Sequence, residues 1–357
     1  MLTFIIVARN EGRYLPDAFA DFLAQDYPRG RIEFLFVDGV SRDDSLKQAE
    51  AFKAAHKDVD FVILTNPKLT LASGWNVALA RAKGRIILRI DAHARMPADF
   101  IRRNIEAVSE GHEIVGGPAI TKRYPDGLLP EFIAIAEASR FGGSAAAFRN
   151  QGRAGYIDTL AFAAYKREVF VNAGGYNEML DRTEDNEIHY RMARAGYRFW
   201  FDPKIRSEYF PRRTLGGLLN QKFGNGYSVA IASAISPGCF RLRHFVPFIF
   251  FAALCGAAVL ALAAPGPFYL LLAVYFGTAL FFTAKAVERE PARIILLSVF
   301  MPLLFLAVHC SYGSGTLCGI LTLPFKWNKL RSYRPPCPVS AQGALPPDGF
   351  IGLPRKQ

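Results

Sequence analysis

The chain has 357 residues, a formal net charge of +12 and a hydrophobic content of 51%. This length allows one large domain or two smaller ones. The charge fits a protein that works against an anionic membrane surface. Nucleic acid is the other common explanation, but no basic stripe interleaved with aromatic residues is visible, so no nucleic-acid partner is expected. The five cysteines include no CxxC pair, and they suggest neither a zinc site nor a disulfide framework.

Apolar strand-like runs alternate with helical patterns through the first ninety residues. The runs are Thr3–Ala8, Ile32–Val37, Val59–Leu64 and Ile86–Ile90. This alternation predicts an α/β fold with a mainly parallel sheet covered on both faces. Later strands are predicted at 113–118, 159–165 and 197–201, and later helices at 97–108 and from Thr183 onward.

Polar residues follow three of these strands, at Ala8–Glu11, Asp38 and Asp91–His93. Right-handed crossovers bring the carboxyl ends of parallel strands to one edge, where ligands bind. The chain has no GxGxxG after its first strand and no GxxxxGK[ST], which disfavours a dinucleotide fold and a P-loop NTPase. Without a glycine loop for phosphates, a metal ion is the expected counter-charge. Asp91 and His93 are placed so that both can face such a cation.

The composition changes near Phe240, where long apolar runs begin. Phe245–Ala264 carries no charge and is long enough to span a bilayer. Phe268–Ala284 is a second run, and a third extends from Ile294 to about Phe325, broken by glycines at 313, 315 and 319. We interpret these runs as membrane segments. For the third run, a buried helix of a soluble domain is a credible alternative.

The expected location is the inner (cytoplasmic) membrane, with several membrane passes. The apolar stretch at the start of the sequence, Met1–Val7, is cut short by Arg9 and Glu11 and has no signal-peptide features. The large domain is therefore expected to face the cytoplasm. Three full crossings would place the tail outside. The basic tail residues Lys326, Lys329, Arg331 and Arg334 favour the inside. The hypothesis is therefore two spans plus a re-entrant or hairpin segment.

Three regions follow from this reading of the chain. Residues 1–240 form the cytoplasmic domain, 241–325 the transmembrane or re-entrant region, and 326–357 a basic tail. The end of that tail is rich in proline and small residues and is expected to be disordered.

Seven short motifs occur in a particular order along the first 230 residues. They are Val7-Ala8-Arg9-Asn10-Glu11, Asp38-Gly39 with Ser41 and Asp43, Gly74 with Asn76, Asp91-Ala92-His93, Thr183-Glu184-Asp185, Ala195-Gly196-Tyr197 and Tyr209-Phe210-Pro211-Arg212-Arg213. Together they resemble the family 2 glycosyltransferases of GT-A fold. The resemblance is greatest to the membrane-attached bacterial enzymes of exopolysaccharide synthesis, of the succinoglycan type.

This resemblance implies an inverting transfer from a nucleotide-sugar donor, such as a UDP-sugar. The residues that would line the nucleotide and donor pocket are Ala8, Arg9, Glu11, Asp38, Gly74, Asn76 and Asp91. Asp91 and His93 occupy the family's DxD positions and would hold Mn²⁺ or Mg²⁺. Histidine replaces the second aspartate here, and imidazole suits Mn²⁺ better than Mg²⁺. Asp185 falls on the family's catalytic base, which takes the proton of the acceptor hydroxyl.

The implied acceptor is a polyprenyl-diphosphate-linked glycan at the membrane, and other polysaccharide-assembly proteins are conceivable partners. Residues assigned to the acceptor or its phosphates are Glu184, Arg212, Arg213, Gln221 and Lys222. Only Gln221 matches the QxxRW motif of processive synthases, which argues for transfer of single residues. A processive synthase and a non-catalytic sugar-nucleotide-binding scaffold remain as alternatives.

Several of these residues also have a purely structural interpretation. Asp185 and Glu184 could be charges at a helix start. Arg212 and Arg213 could be surface cations that snorkel to the membrane interface. His309, within the third apolar run, could be functional or could make a hydrogen bond at a helix end.

Overall fold

The structure, a computed structural model, describes residues 1–124, 127–143, 152–287 and 294–336. Its strands are Leu2–Ala8 (β1), Ile32–Asp38 (β2), Asp60–Thr65 (β3), Ile86–Asp91 (β4), Ala94–Arg95 (β5), Ile114–Gly116 (β6), Ala119–Thr121 (β7), Gly155–Ile157 (β8), Ala164–Lys166 (β9), Phe199–Phe201 (β10) and Ser207–Tyr209 (β11). Its helices are Leu15–Leu23 (α1), Ser45–Ala55 (α2), Leu71–Arg81 (α3), Phe100–Ser109 (α4), Leu128–Ala138 (α5), Arg167–Ala173 (α6), Glu184–Arg194 (α7), Leu215–Ile235 (α8), Val246–Leu260 (α9), Gly266–Val287 (α10) and Ile294–Ser332 (α11).

The chain divides into two compact units. The first unit contains Met1–Ile120, Ala146–Tyr209 and the chain from Tyr333 onward, and the second contains Thr121–Ala145 and Phe210–Ser332. This division differs from the predicted domain boundary at residue 240, because α8 packs along α11 and groups with the apolar helices. Most of the predicted tail, beyond residue 336, lies outside the described residues.

The first unit is built on an eight-stranded sheet of order β3-β2-β1-β4-β9-β6-β10-β8. Strands β3, β2, β1 and β4 are mutually parallel, and β6 is parallel to β10. Strands β9 and β8 run antiparallel to their neighbours. Every residue of β1 and β2 is buried, as expected for strands covered on both faces. The predicted α/β fold with a mainly parallel sheet is confirmed.

The carboxyl ends of β1, β2 and β4 meet at one edge of this sheet, as predicted. Ala8 pairs with Asp38 across β1 and β2, and Val7 pairs with Asp91 across β1 and β4. One face of the sheet buries a cluster of phenylalanines that includes Phe4 and Phe34. The opposite face buries Trp75, Tyr165 and Tyr176, so hydroxyl and indole groups lie inside the fold.

The predicted strand over residues 159–165 was too long. Only Ala164–Lys166 (β9) is extended and paired. Phe162 has a φ of 43°, which is outside the extended region and rare for a residue with a bulky side chain. The strand therefore cannot begin before this residue.

In the second unit, two of the described helices are long and apolar enough to cross a membrane, within Gly266–Ala286 and Ile294–Ser332. The first apolar run, predicted as a full span, forms only the 15-residue helix α9. At 1.5 Å per residue that helix is about 22 Å long, shorter than the roughly 30 Å hydrocarbon core. The chain leaves the helix after Leu260, and two prolines follow at 265 and 267.

The predicted hairpin in the third apolar run is wrong, because α11 is one continuous helix of 39 residues. Its glycines do not make a turn; they let neighbouring helices approach. A Cβ added at Gly315 would lie 2.1 Å from the carbonyl oxygen of Phe223 in α8, and one at Gly226 of α8 would lie 2.0 Å from the carbonyl oxygen of Tyr312. Small residues at such contacts are typical of close helix packing in membranes.

Candidate active site

The loops that follow β1 and β2 are tied together at the ligand edge of the first unit. Asn10 N donates to Ser41 Oγ, Glu11 N to Ser45 Oγ and Gly12 N to Asp43 Oδ2, each at 2.9 Å. Asp43 also accepts from Ser45 Oγ at 2.6 Å. Although partial burial opposes it, these hydrogen bonds lower the pKa of Asp43, which keeps this carboxylate ionised as a fixed support for the crevice wall.

Asp38, predicted to line the donor pocket, lies at the end of β2 and is only 3% exposed. Its Oδ2 accepts from Ser41 N at 3.1 Å, while its Oδ1 is buried with no hydrogen-bond partner among the described residues. A buried acceptor of this kind is costly unless something donates to it. Next to it, Val40 has a φ of 55°, a strained conformation for a β-branched residue and one that clusters at functional sites.

Asp91 and His93 lie at the end of β4, where the sequence placed the metal site. Asp91 Oδ1 is buried and has no hydrogen-bond partner among the described residues. Glu11 Oε1 lies 3.5 Å from His93 Nδ1, and both side chains are largely buried. The His93 ring also meets Tyr209 edge-on, with 5.5 Å between ring centroids. A carboxylate on one imidazole nitrogen is the usual way to orient a histidine ligand.

These residues fit a divalent cation that a diphosphate helps to hold. Asp91 supplies an uncommitted carboxylate oxygen and His93 an imidazole, both acceptable to Mn²⁺. Across the described parts of the chain, no group of three or more His, Cys, Asp or Glu side chains is arranged to hold a metal by itself. A cation held by Asp91 and His93 would take its remaining ligands from the phosphates of the donor.

The acidic pair Glu184 and Asp185 begins helix α7. Glu184 is buried whereas Asp185 is partly exposed. Burial, and then the charge of Asp185, raise the pKa of Glu184 to about 8. Asp185 Oδ1 accepts from the backbone N and the Nδ2 of Asn186, at 2.8 and 2.9 Å. Two carboxylates in different environments can take different roles, and the more exposed Asp185 is the better placed to accept a proton.

Arg89 is the residue that sequence reasoning missed. It lies in the middle of β4, 7% exposed, and its Nη1 donates to Tyr176 Oη at 3.0 Å. Its charge acts on Glu184, as do the charges of Asp185 and Asp91. A cation within an otherwise apolar central strand was the available signal, because a buried charge requires compensating groups.

Beside Arg89, a histidine is buried in a neutral hydrogen-bond network. His189 Nε2 is 2.7 Å from Tyr165 Oη, and His189 Nδ1 is 2.7 Å from Thr159 Oγ1. Burial, and then the charge of Arg89, lower the pKa of His189 to about 3. Both ring nitrogens have partners, so this residue braces α7 against β9.

Asn76 and Gly74, which were assigned to the donor pocket, make contacts that support the fold. The side-chain amide of Asn76 donates to Tyr176 O at 2.9 Å and accepts from Tyr176 N at 2.8 Å. A Cβ at Gly74 would lie 2.4 Å from Val7 Cγ1, so this glycine permits α3 to pack closely on β1. Ala8 is buried at the end of β1, and Arg9 is exposed beside it.

The remaining predicted acceptor residues belong to the second unit. Arg212 is exposed, Gln221 is partly buried on α8, and the guanidinium of Arg213 lies 4.3 Å from the Tyr124 ring centroid. Lys222 is 8% exposed, and its ammonium forms a 2.5 Å ion pair with Glu137. That pairing favours a structural role for Lys222, because the charge that would bind a phosphate is already neutralised.

His309 also has a structural explanation in the second unit. Its Nδ1 is 2.9 Å from Tyr275 Oη and its Nε2 is 2.8 Å from the carbonyl oxygen of Phe141. Both ring nitrogens are engaged between α10, α11 and the segment after α5. This arrangement matches the hydrogen-bonding alternative that the sequence left open.

The mainly parallel sheet that carries this edge site defines a GT-A-like α/β fold. The structure of the mannosyltransferase PcManGT from Pyrobaculum calidifontis, in complex with GDP-Man and Mn²⁺, superimposes with a TM-score of 0.58. The match covers 87% of this chain and 86% of that one at 20% identity. The GT-A fold implied by the sequence motifs is confirmed by this likeness.

Residues 3–173 match the family described as Glycosyl transferase family 2, so this part of the chain contains a family 2 glycosyltransferase domain. A Methanococcus voltae relative, dolichyl N-acetyl-alpha-D-glucosaminyl phosphate 3-beta-D-2,3-diacetamido-2,3-dideoxy-beta-D-glucuronosyltransferase, is 24% identical over 90% of this chain and 97% of its own length. The succinoglycan biosynthesis protein ExoA of Rhizobium meliloti (strain 1021) is 29% identical over 62% of this chain and 67% of its own length. The predicted enzyme class is thereby confirmed.

Proposed function

We propose that the protein transfers a single sugar from a nucleotide-sugar, with inversion at the anomeric carbon, to a lipid-linked glycan. The observation that carries this proposal is the group of acidic residues at the carboxyl edge of the sheet. Among the described residues, Asp38 Oδ1 and Asp91 Oδ1 are buried there without a hydrogen-bond partner, and Glu184 lies close enough for the charge of Asp91 to raise its pKa. Such groups suit a ribose, a metal-bound diphosphate and an acceptor hydroxyl in turn.

The chemistry requires one base and one leaving group. The acceptor oxygen forms a bond to the anomeric carbon, the bond from that carbon to the diphosphate oxygen breaks, and Asp185 takes the hydroxyl proton. A divalent cation at Asp91 and His93 would neutralise the charge that develops on the diphosphate. Glu184, neutral near pH 7 because burial raises its pKa, leaves Asp185 as the proton acceptor. Inversion needs no second carboxylate as a nucleophile.

The lipid-linked acceptor is supported by the relatives and by the second unit. The printed name of the Methanococcus voltae relative states that it acts on a dolichyl-phosphate-linked sugar, and the Rhizobium meliloti relative takes part in succinoglycan biosynthesis. Two helices of suitable length and hydropathy would place this chain at a membrane. A lipid-linked glycan fits both facts. A polyprenyl-diphosphate-linked glycan is the acceptor that we propose within this class, and a UDP-sugar is the donor class to test first.

The proposed location is the cytoplasmic membrane, with α10 and α11 as two crossings and the first unit in the cytoplasm. The segment that directly follows α11 belongs to the first unit. Tyr333 Oη accepts from Glu178 N at 3.1 Å, and the carbonyl oxygen of Pro336 accepts from Gly175 N at 2.6 Å. An even number of crossings returns the chain to the side on which that unit lies. It also keeps the basic end of α11 inside.

The test is a screen of nucleotide-sugars against lipid-linked acceptors, with mass analysis of the products. Purified full-length protein is incubated with Mn²⁺ or Mg²⁺, each nucleotide-sugar and a polyprenyl-diphosphate-sugar. A mass increase of one sugar per acceptor is the expected result. Long products would favour the processive alternative, and neither transfer nor donor hydrolysis with any nucleotide-sugar would favour the non-catalytic scaffold.

A further inference from the structure

A short segment that directly follows α11 contacts the loop between α6 and α7, residues 174–183. We call this segment the strap; its residues are Tyr333, Arg334, Pro335 and Pro336, and it belongs to the first unit. Each proline ring fixes its own φ and restricts the residue before it to extended conformations. The strap is therefore stiff before it makes any contact, and it loses little conformational entropy when it docks.

Hydrogen bonds join the strap to the backbone of this loop. Gly175 N donates to the carbonyl oxygen of Pro336 at 2.6 Å, and Glu178 N donates to Tyr333 Oη at 3.1 Å. Both donors lie outside any helix or strand, and Gly175 is buried whereas Glu178 is partly buried. A backbone N–H in such a place is costly to leave unpaired. The strap thus supplies acceptors that these donors would otherwise need from water.

The first of these contacts continues to helix α7 through Gly175. The carbonyl oxygen of Gly175 accepts from Arg191 Nη2 at 2.6 Å. Arg191 in turn pairs with Glu187 through hydrogen bonds of 2.8 and 2.9 Å. Both residues lie on α7, whose first turn contains Asp185. Because a helix of three turns moves as one body, the bonds at Gly175 also position the start of α7.

The second contact continues to helix α3 and the loop after β3 through Glu178. Glu178 Oε1 accepts from Asn76 Nδ2 at 2.9 Å, and Oε2 forms a 2.7 Å ion pair with Lys68. The ammonium of Lys68 is largely exposed, so this pair adds little by itself. Asn76 also bonds both backbone groups of Tyr176 in the same loop, at 2.9 and 2.8 Å. The middle of the loop is therefore bonded both to the strap and to α3.

The loop ends in a strained residue directly before the acidic pair. Thr183 has a φ of 61°, a left-handed conformation that is rare for a β-branched residue. Such conformations persist only where the surrounding structure holds them. Because Thr183 directly precedes Glu184 and Asp185, its relaxation would turn the start of α7. The bonds at Gly175 and Glu178 restrain the chain that leads into this residue.

We propose that the strap positions the catalytic base, with Tyr333 as a positioning residue that holds the loop of residues 174–183 and thereby Asp185. The inference rests on the proposed function, since it takes Asp185 as the base. The proposed donor-side residues Asp38 and Asp91 belong to β2 and β4 rather than to this loop. Turnover therefore depends on the strap, whereas capture of the nucleotide depends on it much less.

The test compares two variants with a matched control in the full-length protein. Tyr333→Phe removes only the hydroxyl that accepts from Glu178 N, and Tyr333→Ala removes the ring as well. Tyr269→Phe is the control, because it makes the same change at a tyrosine that is 66% exposed on α10. For each protein, the kcat, the KM for the donor and the calorimetric affinity for UDP with MnCl₂ are measured. Amide hydrogen exchange of residues 174–183 is followed in parallel.

The expected result is a loss of kcat with little change in nucleotide binding. Loss of one hydrogen bond that fixes the loop lowers the kcat of Tyr333→Phe by about threefold to tenfold. Tyr333→Ala loses up to about 100-fold, as a small displacement of a catalytic group can cause. The KM for the donor and the affinity for UDP stay within about threefold of the unaltered protein. The Glu178 amide exchanges at least about tenfold faster in both variants, and Tyr269→Phe behaves as the unaltered protein does.

Several results would overturn the inference. Unchanged kcat in a folded Tyr333→Ala protein would do so even if exchange of the loop became faster, because the strap would then be a structural contact alone. A loss confined to KM or to UDP affinity, or an equal loss in Tyr269→Phe, would also contradict it. If Tyr333→Ala does not fold, Tyr333→Phe decides: unchanged kcat overturns the inference, and reduced kcat with intact UDP binding supports it.

The failure of this inference is distinguishable from a failure of the proposed function. Absence of transfer by the unaltered protein with every nucleotide-sugar would overturn the proposed function, and the inference with it. Equal transfer by the unaltered and Tyr333→Ala proteins overturns the inference alone.

Discussion

Glu11 Oε1 lies 3.5 Å from His93 Nδ1, so a carboxylate from the loop after β1 supports an imidazole at the end of β4. The pair brings together two residues that the sequence assigned to different roles, Glu11 to the donor pocket and His93 to the metal. A carboxylate on one ring nitrogen fixes the tautomer and directs the other nitrogen towards a cation. Glu11 would then act on the metal through His93.

Replacing His93 by alanine should change how activity depends on the cation. Loss of a metal ligand or of its orienting partner typically costs about 10–100-fold in metal affinity. His93→Ala should therefore shift the Mn²⁺ activation curve to higher concentration by that factor, and Glu11→Gln should shift it less. His93→Asp should improve activation by Mg²⁺ relative to Mn²⁺, because oxygen ligands suit the harder ion. Identical Mn²⁺ and Mg²⁺ curves for the unaltered protein and His93→Ala would remove His93 from the metal site.

Glu184 should make the fold less stable as the pH rises. Burial raises its pKa from 4.5 to about 8, so between these values the folded state holds a proton that the unfolded state has lost. The free energy of unfolding then falls with increasing pH across that window. Glu184→Gln mimics the neutral acid and should flatten the dependence.

The measurement is the thermal midpoint of both proteins in EDTA, followed from about pH 5 to pH 8. The unaltered protein should lose at least about 4 °C more than Glu184→Gln over this range, as 1–2 kcal/mol would produce in a domain of this size. Parallel curves for the two proteins would show that Glu184 is already ionised in the folded state at neutral pH.

The contact between α8 and α11 should not tolerate a methyl group. A Cβ at Gly226 would lie 2.0 Å from the carbonyl oxygen of Tyr312, whereas one at Gly277 in α10 meets nothing within 4 Å. Overpacking of this kind costs about 1–3 kcal/mol, so Gly226→Ala should lower the thermal midpoint in detergent. Gly277→Ala is the control and should leave it unchanged or slightly raised, since alanine favours a helix. Equal midpoints for the two variants would contradict the close packing.

The number of crossings can be tested with three reporter fusions. If α9 does not cross and α10 and α11 do, reporters after Ala264 and after Arg334 should both read as cytoplasmic. A reporter inserted at residue 290, which lies outside the described residues, should read as periplasmic. A cytoplasmic signal at 264 and 334 with a periplasmic signal at 290 is the pattern expected for two crossings. A periplasmic signal after Arg334 would require an odd number.

The sequence predicted those parts of the fold that depend on local pattern. In a chain whose strands alternate with helices, a continuous apolar run such as Leu2–Ala8 is a strand buried on both faces. The register of β1 with β2 and β4 then brings Asp38 and Asp91 to the carboxyl edge of the sheet, where they were expected. The motif order pointed to the same edge. These predictions held because the period of the strands and the right-handed crossovers leave few possible sheet topologies.

Other features depend on long-range packing and could not be read locally. Gly315 and Gly319 looked like helix breakers, but the backbone of α8 packs against them. Because α8 is distant from these glycines along the chain, the local sequence does not reveal this contact. Asn76 was assigned to the donor because of its motif, although its partner is the backbone of Tyr176, one hundred residues away. Arg89 was overlooked because the hydroxyl to which it donates belongs to Tyr176, 87 residues further along the chain. In each case the distant partner of the residue, rather than the residue type, determines its role.

We propose Asp185 as the base of a sugar transfer to a lipid-linked acceptor. The direct measurement is single-turnover transfer from the nucleotide-sugar to the lipid acceptor by the unaltered protein and by Asp185→Asn, with UDP affinity measured in parallel. Loss of a general base costs about 10²–10⁴-fold in rate, so Asp185→Asn should fall by that amount while binding UDP as the unaltered protein does. Transfer by Asp185→Asn at a near-normal rate would contradict the account.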